Sequence, residues 1–326
     1  MSEEFAIETK DLTKRYDGAT VVDRLNLHVK EGEIFGLLGP NGAGKTTTIL
    51  MLLGLTEPAS GSAHVYGFSP TREPIKVKRL VGYLPEKVGF YENLTARENL
   101  RFIADLNNIG YAEANKRIGE VLETVGLTDA ELMEQVGPNR KKEKTVGKYS
   151  RGMKQRLGVA DVLIKKPKVV FLDEPTAGLD PKGINQLLDL VASLPKMGTT
   201  VVLSSHQLYQ VQRVCHSIGI LSKGKMVIEG AIDKLGREAL TGGRYQMEVE
   251  TMEPSPELID VIRGIKGVIN VDTKDNVLLV STDADLRAAV SKAVVQNDFP
   301  LIQMKVQEFS LDDIYMKYFR EEEVKT

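Results

Sequence analysis

The chain has little of what marks secreted, disulfide-bonded or membrane-spanning proteins. Its 326 residues include a single cysteine, Cys215, so no disulfide can form within the chain, and a reducing compartment is the natural setting. No uninterrupted apolar stretch approaches the roughly 20 residues that a helix needs to cross a bilayer. The first ten residues lack the basic segment and apolar core of a signal peptide. We therefore expect a cytoplasmic protein, and any role in transport would require a separate membrane partner.

An excess of charge of one sign is also absent. Lysine and arginine number 43 against 45 aspartates and glutamates, so the formal net charge of −2 predicts no broad attraction to nucleic acid or to anionic membranes. Hydrophobic residues make up 42% of the chain and charged residues 27%, which is typical of soluble globular proteins. At about 150 residues per domain, the length favours two domains.

Strand-like and helical patterns alternate over the first 235 residues. Residues 6–16 and 21–29 predict two paired strands around a turn at Asp17–Gly18. Short apolar runs then alternate with segments of helical length, and residues 92–134 predict several helices. This order predicts an α/β fold with antiparallel N-terminal strands, a mostly parallel sheet covered on both faces, and a helical subdomain.

The pattern changes near residues 236–244, where three glycines indicate a linker. Beyond it the predicted order is strand, helix, strand, strand, helix, strand, which is the ferredoxin-like arrangement. A last helix is predicted to begin at Ser310 as its N-cap, with Asp313 in the first turn. The sequence therefore predicts a larger domain over residues 1–238 and a small α+β domain over residues 239–326.

One glycine-rich segment carries a phosphate-binding pattern. Residues Gly39–Thr46 read GPNGAGKT, which matches the P-loop in full and lies between a predicted strand and a predicted helix. Glycines let successive N–H groups point at phosphate oxygens, Lys45 offers a cation to the β- and γ-phosphates, and Thr46 offers a hydroxyl to Mg²⁺. A chance glycine-rich turn is the alternative, which the flanking elements make improbable. The predicted nucleotide-binding residues of this segment are Gly39, Pro40, Asn41, Gly42, Ala43, Gly44, Lys45, Thr46 and Thr47.

Two consecutive carboxylates form the second chemical feature. The apolar run over residues 169–172 predicts a buried strand that delivers Asp173 to its carboxyl end, where parallel sheets place their ligands. Asp173 can hold Mg²⁺ through a water, and Glu174 beside the metal can polarise an attacking water. Two acids that merely end a strand are the alternative, and the upstream P-loop argues against it. ATP and Mg²⁺ are therefore the predicted cofactors of a hydrolytic site.

These motifs resemble those of the ATP-binding cassette (ABC) ATPases, and the resemblance covers about residues 5–235. It implies that Tyr16 stacks on adenine and that His206 senses the γ-phosphate, acting beside Glu174 in catalysis. It also implies that the signature segment Ser150-Arg151-Gly152 binds the γ-phosphate held by a second subunit. By the same resemblance, the loop Ala177–Asp180 is expected to contact that subunit, with Asp180 assigned to the nucleotide site. Two copies would then sandwich two ATP molecules head to tail.

Two positions depart from the family pattern. The signature, usually Leu-Ser-Gly-Gly-Gln, reads Tyr-Ser-Arg-Gly-Met here, and we hypothesise that Arg151 strengthens the dimer contact, the alternative being that it only faces solvent. Glu86 stands where the family has a glutamine that touches Mg²⁺ or water. A glutamate can still ligate magnesium, so Glu86 joins Thr46 and Asp173 as a candidate metal ligand, and a harmless variant that points away is the alternative.

The signature variant and the C-terminal extension resemble the ATPases of drug, sodium and antibiotic exporters, in which the membrane permease is usually a separate polypeptide. The resemblance implies a homodimeric ATPase on the inner face of the cell membrane, with residues 87–102 receiving the permease. A soluble ABC ATPase in a cytosolic assembly or regulatory complex is the alternative, and the charge balance argues against a nucleic-acid partner. The C-terminal domain could act as a ligand sensor or stabilise the dimer.

Overall fold

The structure is a computed structural model. It describes residues 5–137, 140–241, 243–252, 255–306, 311–312 and 314–316. The chain divides into two compact units, residues 1–229 and residues 230–326, and each is described by itself.

The first unit contains eleven strands and eight α-helices within the described residues. The strands are β1 (Phe5–Tyr16), β2 (Ala19–Lys30), β3 (Ile34–Leu38), β4 (Ser60–Val65), β5 (Val81–Leu84), β6 (Met133–Gly137), β7 (Arg140–Glu143), β8 (Val169–Asp173), β9 (Thr200–Ser205), β10 (Ser217–Ser222) and β11 (Lys225–Ala231). The helices are α1 (Lys45–Leu52), α2 (Pro74–Leu80), α3 (Ala96–Leu106), α4 (Tyr111–Thr124), α5 (Asp129–Leu132), α6 (Arg151–Leu163), α7 (Pro181–Ser193) and α8 (Leu208–Val214).

A six-stranded sheet forms the centre of this unit, in the order β11–β10–β3–β9–β8–β5. The pairs from β10 through β5 are parallel. Every residue of β3, β8 and β9 is buried, which is the burial expected of parallel strands covered by helices on both faces. The predicted mostly parallel α/β sheet is confirmed.

The N-terminal strands form a separate antiparallel sheet in the order β2–β1–β4. Tyr16 pairs with Ala19 across the turn between β1 and β2. Asp17 and Gly18 both adopt positive φ angles, 48° and 83°, which suits the two-residue hairpin turn that Asp-Gly favours. The predicted strand pair and its turn are therefore confirmed.

The predicted helical subdomain is present as α3 to α6. Thr95 begins α3 as the N-cap of a capping box, because its hydroxyl accepts from the Glu98 N–H while the Glu98 carboxylate accepts from the Thr95 N–H. The two antiparallel strands β6 and β7 follow α5, and no alternating pattern in the sequence predicted them. Within the described residues, no helix is long and apolar enough to cross a membrane.

The second unit is a four-stranded antiparallel sheet with helices. Its elements are α9 (Ile232–Thr241), β12 (Tyr245–Thr251), α10 (Pro256–Arg263), β13 (Val268–Lys274), β14 (Val277–Thr282), α11 (Arg287–Gln296) and β15 (Leu301–Val306). The strand order β13–β14–β12–β15 is that of a ferredoxin-like sheet, as predicted. Its core joins the sheet to α10 and α11 through Met247, Leu258, Leu278 and Val290. Ser310 and Asp313, the predicted cap and first turn of a last helix, lie outside the described residues.

Phe171 tests whether the buried centre of the sheet maintains the fold of the first unit. It is fully buried in β8, two residues before Asp173. Replacement by alanine leaves a cavity, so Phe171→Ala should lower the free energy of unfolding by about 3–5 kcal/mol. The measurement is urea unfolding of the full chain followed by circular dichroism. Leu106→Ala, at a side chain that is 64% exposed, is the control and should change stability by less than about 0.5 kcal/mol. Equal midpoints for the two variants would contradict the expectation.

Candidate active site

The P-loop joins β3 to α1 and is shaped by glycines. Gly39 has a φ of 151°, and a Cβ added there would lie 2.3 Å from the carbonyl oxygen of Leu221, so only glycine fits. Gly42, with a φ of 81°, has open space where a Cβ would stand, which leaves its backbone accessible to a ligand. The buried members of the segment are Gly39, Ala43, Gly44 and Lys45, the half-buried one is Thr47, and the exposed ones are Pro40, Asn41, Gly42 and Thr46.

Lys45 lies inside this loop. Its Nζ donates to the carbonyl oxygen of Gly39 at 2.7 Å and to that of Pro40 at 3.3 Å, and the side chain is only 6% exposed. The Glu174 Oε1 atom lies 3.4 Å from the same ammonium. The loop therefore holds a buried cation at its centre, beside the predicted catalytic carboxylate.

Asp173 ends β8 as a buried carboxylate that accepts hydrogen bonds from three hydroxyl groups. Thr46 Oγ1 donates to Asp173 Oδ2 at 2.8 Å, and Ser204 donates to Asp173 Oδ1. The hydroxyl of Tyr83, on the neighbouring strand β5, is also hydrogen-bonded to Asp173. Burial, reinforced by the charge of Asp173, raises the pKa of Tyr83 to about 12, so the phenol stays protonated as a donor. The structure thus brings two of the three predicted metal-site residues, Thr46 and Asp173, into contact.

Glu174 adopts a backbone conformation that is rare for a residue with a side chain. Its φ is 47°, and its N–H donates to the carbonyl oxygen of Ser204 at 3.1 Å. Left-handed conformations in non-glycine residues store strain of about 1–3 kcal/mol and cluster at functional sites. The turn directs the carboxylate toward the P-loop lysine and away from the apolar strand that precedes it.

The carboxylate of Glu174 has one occupied and one open oxygen. Oε2 lies 2.9 Å from Nδ1 of His206, which follows β9 directly. Oε1 is buried and accepts no hydrogen bond from any described residue, although the Lys45 ammonium is near. His206 thus orients a carboxylate whose second oxygen is available to a reactant.

Tyr16, predicted to stack on adenine, is the last residue of β1 and is 44% exposed. The ammonium of Lys14 lies over its ring, 4.8 Å from the centroid. A cation on one face of an aromatic ring leaves the other face free to stack on a base. The exposure of Tyr16 agrees with the predicted role.

The signature segment begins a helix, as its predicted anion-binding role requires. Ser150 is the N-cap of α6, and its Oγ accepts from the N–H of Met153 at 3.2 Å, while Gly152 lies in the first turn. Arg151 is exposed and makes no ion pair with the described residues, but its guanidinium lies against Gly178. A Cβ at Gly178 would lie 2.1 Å from Arg151 Nη1, so the guanidinium packs directly on the Gly178 backbone of its own chain.

Two predicted residues lie apart from the others. Asp180 is the N-cap of α7 and is exposed, without a side-chain capping bond. Glu86 is exposed and forms no hydrogen bond or ion pair with any residue in the described part of the chain. The structure does not bring Glu86 into contact with Asp173 or Thr46, and its metal role stays a prediction.

Sequence patterns did not single out Tyr83 or Ser204 as site residues. Both stand next to motifs that were noticed: Tyr83 lies three residues before Glu86, and Ser204 lies two residues before His206. Their positions at the ends of buried strands are the signal that could have identified them.

Comparison with known proteins places this geometry in a family. The family model described as ABC transporter matches residues 22–177. The bacitracin transport ATP-binding protein BcrA of Bacillus licheniformis is 37% identical over 312 residues, covering 95% of this chain and 96% of the relative. The chain belongs to the ABC transporter ATP-binding family. The linearmycin resistance ATP-binding protein LnrL of Bacillus subtilis is 33% identical and covers 95% of this chain and 97% of the relative. The daunorubicin/doxorubicin resistance ATP-binding protein DrrA of Streptomyces peucetius is 38% identical, covering 71% and 66% respectively.

Solved structures of ABC ATPases have the same fold. An ATP binding subunit of an ABC transporter matches with a TM-score of 0.61 and 32% identity, covering 72% of this chain and 92% of the other. A dimeric ATP-binding cassette bound to ADP and Pi matches with a TM-score of 0.60 and 25% identity, covering 69% and 98% respectively. The predicted ABC ATPase of the drug-exporter branch, with its P-loop α/β cassette and its ATP-hydrolysing transport function, is confirmed.

His206 provides a test of how Glu174 is oriented. Without the imidazole, Oε2 loses its neighbour at 2.9 Å and the carboxylate is free to rotate. We expect His206→Ala to lower the ATP hydrolysis rate by about 10²–10³-fold, in the range of general acid–base effects, with little change in ATP affinity. The assay is phosphate release combined with nucleotide binding. His64→Ala, at an exposed histidine in β4, is the control and should retain both activities. A His206→Ala enzyme with the wild-type rate would show that this contact is not needed.

Proposed function

We propose that two copies of this ABC ATPase close head to tail around two ATP molecules and drive a separate permease at the cytoplasmic face of the membrane. The names of the relatives support export of a drug, since they refer to bacitracin transport and to linearmycin, daunorubicin and doxorubicin resistance. The dimeric cassette bound to ADP and Pi supports the paired state. The Glu174 carboxylate, whose Oε2 meets His206 and whose buried Oε1 faces Lys45 without a hydrogen bond, is the observation that carries the hydrolytic part of the proposal.

The residues around Asp173 fit a magnesium ion bound with nucleotide. Asp173 and Thr46 supply oxygen donors, the ligands that Mg²⁺ prefers, at a point beside the phosphate loop. Among the described residues there is no cluster of three or more acidic, histidine or cysteine side chains suited to a metal. This composition fits an ion that takes its remaining ligands from phosphates and water. Such an ion would neutralise charge on the phosphates.

Each remaining group has a role that follows from its position. Lys45, already pointing into the loop, would pair with the β- and γ-phosphates. Glu174 Oε1 would accept the proton of the attacking water, and His206 would hold Oε2 and meet the γ-phosphate. The exposed ring of Tyr16 would stack on adenine. Glu86 is proposed as a further ligand of the metal.

The signature helix supplies the reason for a dimer. Ser150 and the first N–H groups of α6 form an anion-binding helix end, and the helix dipole favours a phosphate there. Arg151 adds an exposed positive charge beside this end. We propose that this end binds the γ-phosphate held by the second copy, so neither copy has a complete site.

The C-terminal part of the chain is proposed to be an accessory domain. The sequence predicts a division into residues 1–238 and 239–326, whereas the second compact unit of the structure begins at residue 230 and includes α9. The solved cassettes support this division because they cover only 69% and 72% of the chain. Stabilising the dimer and sensing a ligand are the two roles open to it.

Glu174→Gln tests the catalytic base and the dimer together. The amide keeps the shape of the side chain but cannot accept the proton, so hydrolysis should fall by at least about 10²-fold. ATP binding should persist, and an ATP-dependent dimer should accumulate because the bridging phosphate stays in place. Phosphate release and light scattering after size exclusion measure the two effects.

Lys182→Gln, at an exposed residue outside the catalytic groups, is the matched control and should behave as the wild-type chain does. A Glu174→Gln protein that hydrolyses ATP at the normal rate would remove Glu174 from its role. A protein that loses hydrolysis but stays monomeric with ATP would contradict the sandwich dimer.

Residues 87–102 are proposed to receive the permease. Tyr91 is 53% exposed there, and such exposed aromatic residues are common at protein interfaces. Tyr91→Asp should leave ATP binding intact and weaken recovery of the permease when the tagged chain is purified from native membranes in mild detergent. Tyr111→Asp, at a tyrosine that is 76% exposed in α4, is the control. Unchanged recovery with Tyr91→Asp would count against this surface.

A further inference from the structure

A groove of about 310 Å³ opens in the first unit between the loop at residues 89–91 and helices α3 and α6. Tyr91 and Phe102 meet edge to face in its lining, with ring centroids 5.1 Å apart and planes at 81°. Both rings are substantially exposed, Tyr91 at 53% and Phe102 at 40%. Adjacent exposed rings of this kind mark a surface that binds a partner.

Asp161, on α6, is the one charged residue among those that line the groove. Its Oδ1 atom is buried and accepts no hydrogen bond from the described residues. The side-chain amide of Asn99, also in the lining, cannot supply one because it donates to the carbonyl oxygens of Tyr91 and Thr95 at 3.1 Å and 2.9 Å. The groove therefore contains a carboxylate without a donor.

Lys165, four residues after Asp161 and just beyond the end of α6, is the cation that would be expected to pair with such a carboxylate. Its Nζ instead donates to the carbonyl oxygen of Lys78 at 3.1 Å, and no ion pair joins it to Asp161 within 4.0 Å. Burial raises the pKa of Asp161 to about 6, and the more distant charge of Lys165 offsets only part of that effect. In the isolated chain, ionisation of Asp161 is therefore less favourable than that of an exposed aspartate.

A cation delivered from outside would complete this site. An arginine or lysine that enters the groove would pair with Asp161, and its charge would lie near the aromatic pair. Cytoplasmic loops of membrane proteins are rich in arginine and lysine, so a permease can readily present one. Charge complementarity therefore points to the membrane subunit as the occupant, since the groove adjoins Tyr91 in the segment proposed to receive that subunit.

We propose that the groove binds a segment of the membrane subunit that carries an arginine or lysine, and that Asp161 selects this segment by forming an ion pair with it. The inference rests on the proposed function, which supplies the membrane subunit, and adds the chemistry by which that subunit is recognised. Apolar side chains of the segment pack on Tyr91 and Phe102, and the cation reaches Asp161 between them.

Docking of this kind depends on pH in a defined direction. The charged group that bears on Asp161 is Lys165, just beyond the end of α6, and burial lowers the pKa of Lys165 itself. The ion pair needs the charged carboxylate, so binding weakens as pH falls through about 6.

The test places the photo-crosslinking residue p-benzoylphenylalanine at position 102 of the full chain, in native membranes. The expected product is a peptide of a multi-span membrane protein that contains arginine or lysine, identified by mass spectrometry. Asp161→Asn should lower the yield of this product by about tenfold or more near neutral pH, because it removes one partner of a buried charge pair. Acidification to about pH 5 should lower the yield of the wild-type chain and leave that of Asp161→Asn unchanged. Asp105→Asn, at an exposed acid on α3 outside the groove lining, is the matched control and should retain the wild-type yield.

The stability of the isolated chain supplies a second measurement. A carboxyl group whose pKa is raised by folding stabilises the fold fully below its unfolded pKa, near 3.8, and this contribution is lost as pH rises through about 6. Asparagine does not ionise, so Asp161→Asn should raise the thermal midpoint near neutral pH, while Asp105→Asn should not. A loss of crosslinking in Asp161→Asn therefore cannot be attributed to unfolding.

The outcomes separate this inference from the proposed function. A membrane-protein crosslink whose yield is the same in Asp161→Asn, or a crosslinked segment without arginine or lysine, overturns the ion pair and leaves the exporter intact. If the only crosslinks are to soluble proteins or to a second copy of the chain, the membrane subunit does not occupy the groove. That result would also contradict the proposed permease partner. A lowered thermal midpoint in Asp161→Asn would show that Asp161 serves the fold and would also overturn the inference.

Discussion

The side-by-side burial of three parallel strands, β3, β9 and β8, is the constraint on which the active site depends. Their register pairs Leu38 with Ser205 and Asp173 with Ser204, so the three strands end at one edge of the sheet. Every side chain within these strands is buried. Groups that bind a ligand can therefore reach it only from the carboxyl ends of the strands and from the loops that follow them. The P-loop, the two carboxylates and His206 meet for that reason, although more than 160 residues separate Gly39 from His206 in the chain.

Three acids of the first unit, Asp173, Glu174 and Asp161, differ in how many hydrogen bonds their carboxylate oxygens accept. This difference distinguishes the roles assigned to them. Asp173 has hydrogen bonds from Thr46, Ser204 and Tyr83, which fix its position firmly. Glu174 has Oε2 beside His206 and a buried Oε1 that accepts no hydrogen bond but faces the Lys45 ammonium at 3.4 Å, whereas Asp161 has a buried oxygen with neither a hydrogen bond nor an ion pair among the described residues. Burying a hydrogen-bond acceptor without a donor lowers the stability of the fold. Such an acceptor is therefore expected where a reactant or a partner protein supplies the missing donor. The catalytic centre and the aromatic groove share this property.

Strain and close approach occur where the chain leaves the regular sheet. Glu174 takes a left-handed conformation directly after β8, and Gly39 approaches the Leu221 carbonyl too closely for any side chain. Gly178 similarly leaves the room that the guanidinium of Arg151 fills. These positions connect the rigid strands to loops whose geometry is set by contacts with residues distant in sequence. The surrounding packing maintains these local conformations, which would be unfavourable in an isolated peptide.

The sequence by itself determined the cassette fold and the ferredoxin-like unit, and it predicted Lys45, Thr46, Asp173 and Glu174 as site residues because each lies in a local motif. His206 was predicted from the family resemblance. The sequence could not identify Tyr83 and Ser204 as hydroxyl donors to Asp173, since hydrogen bonds across neighbouring strands leave no mark on spacing along the chain. The β6–β7 strand pair was missed because both strands are short and polar, so they show no alternation of apolar and polar residues. Only their antiparallel hydrogen bonding identifies them as strands. Only the tertiary structure placed Asp161 in an aromatic groove with Lys165 turned away, because burial and the direction of a side chain are decided by the packing of helices against one another.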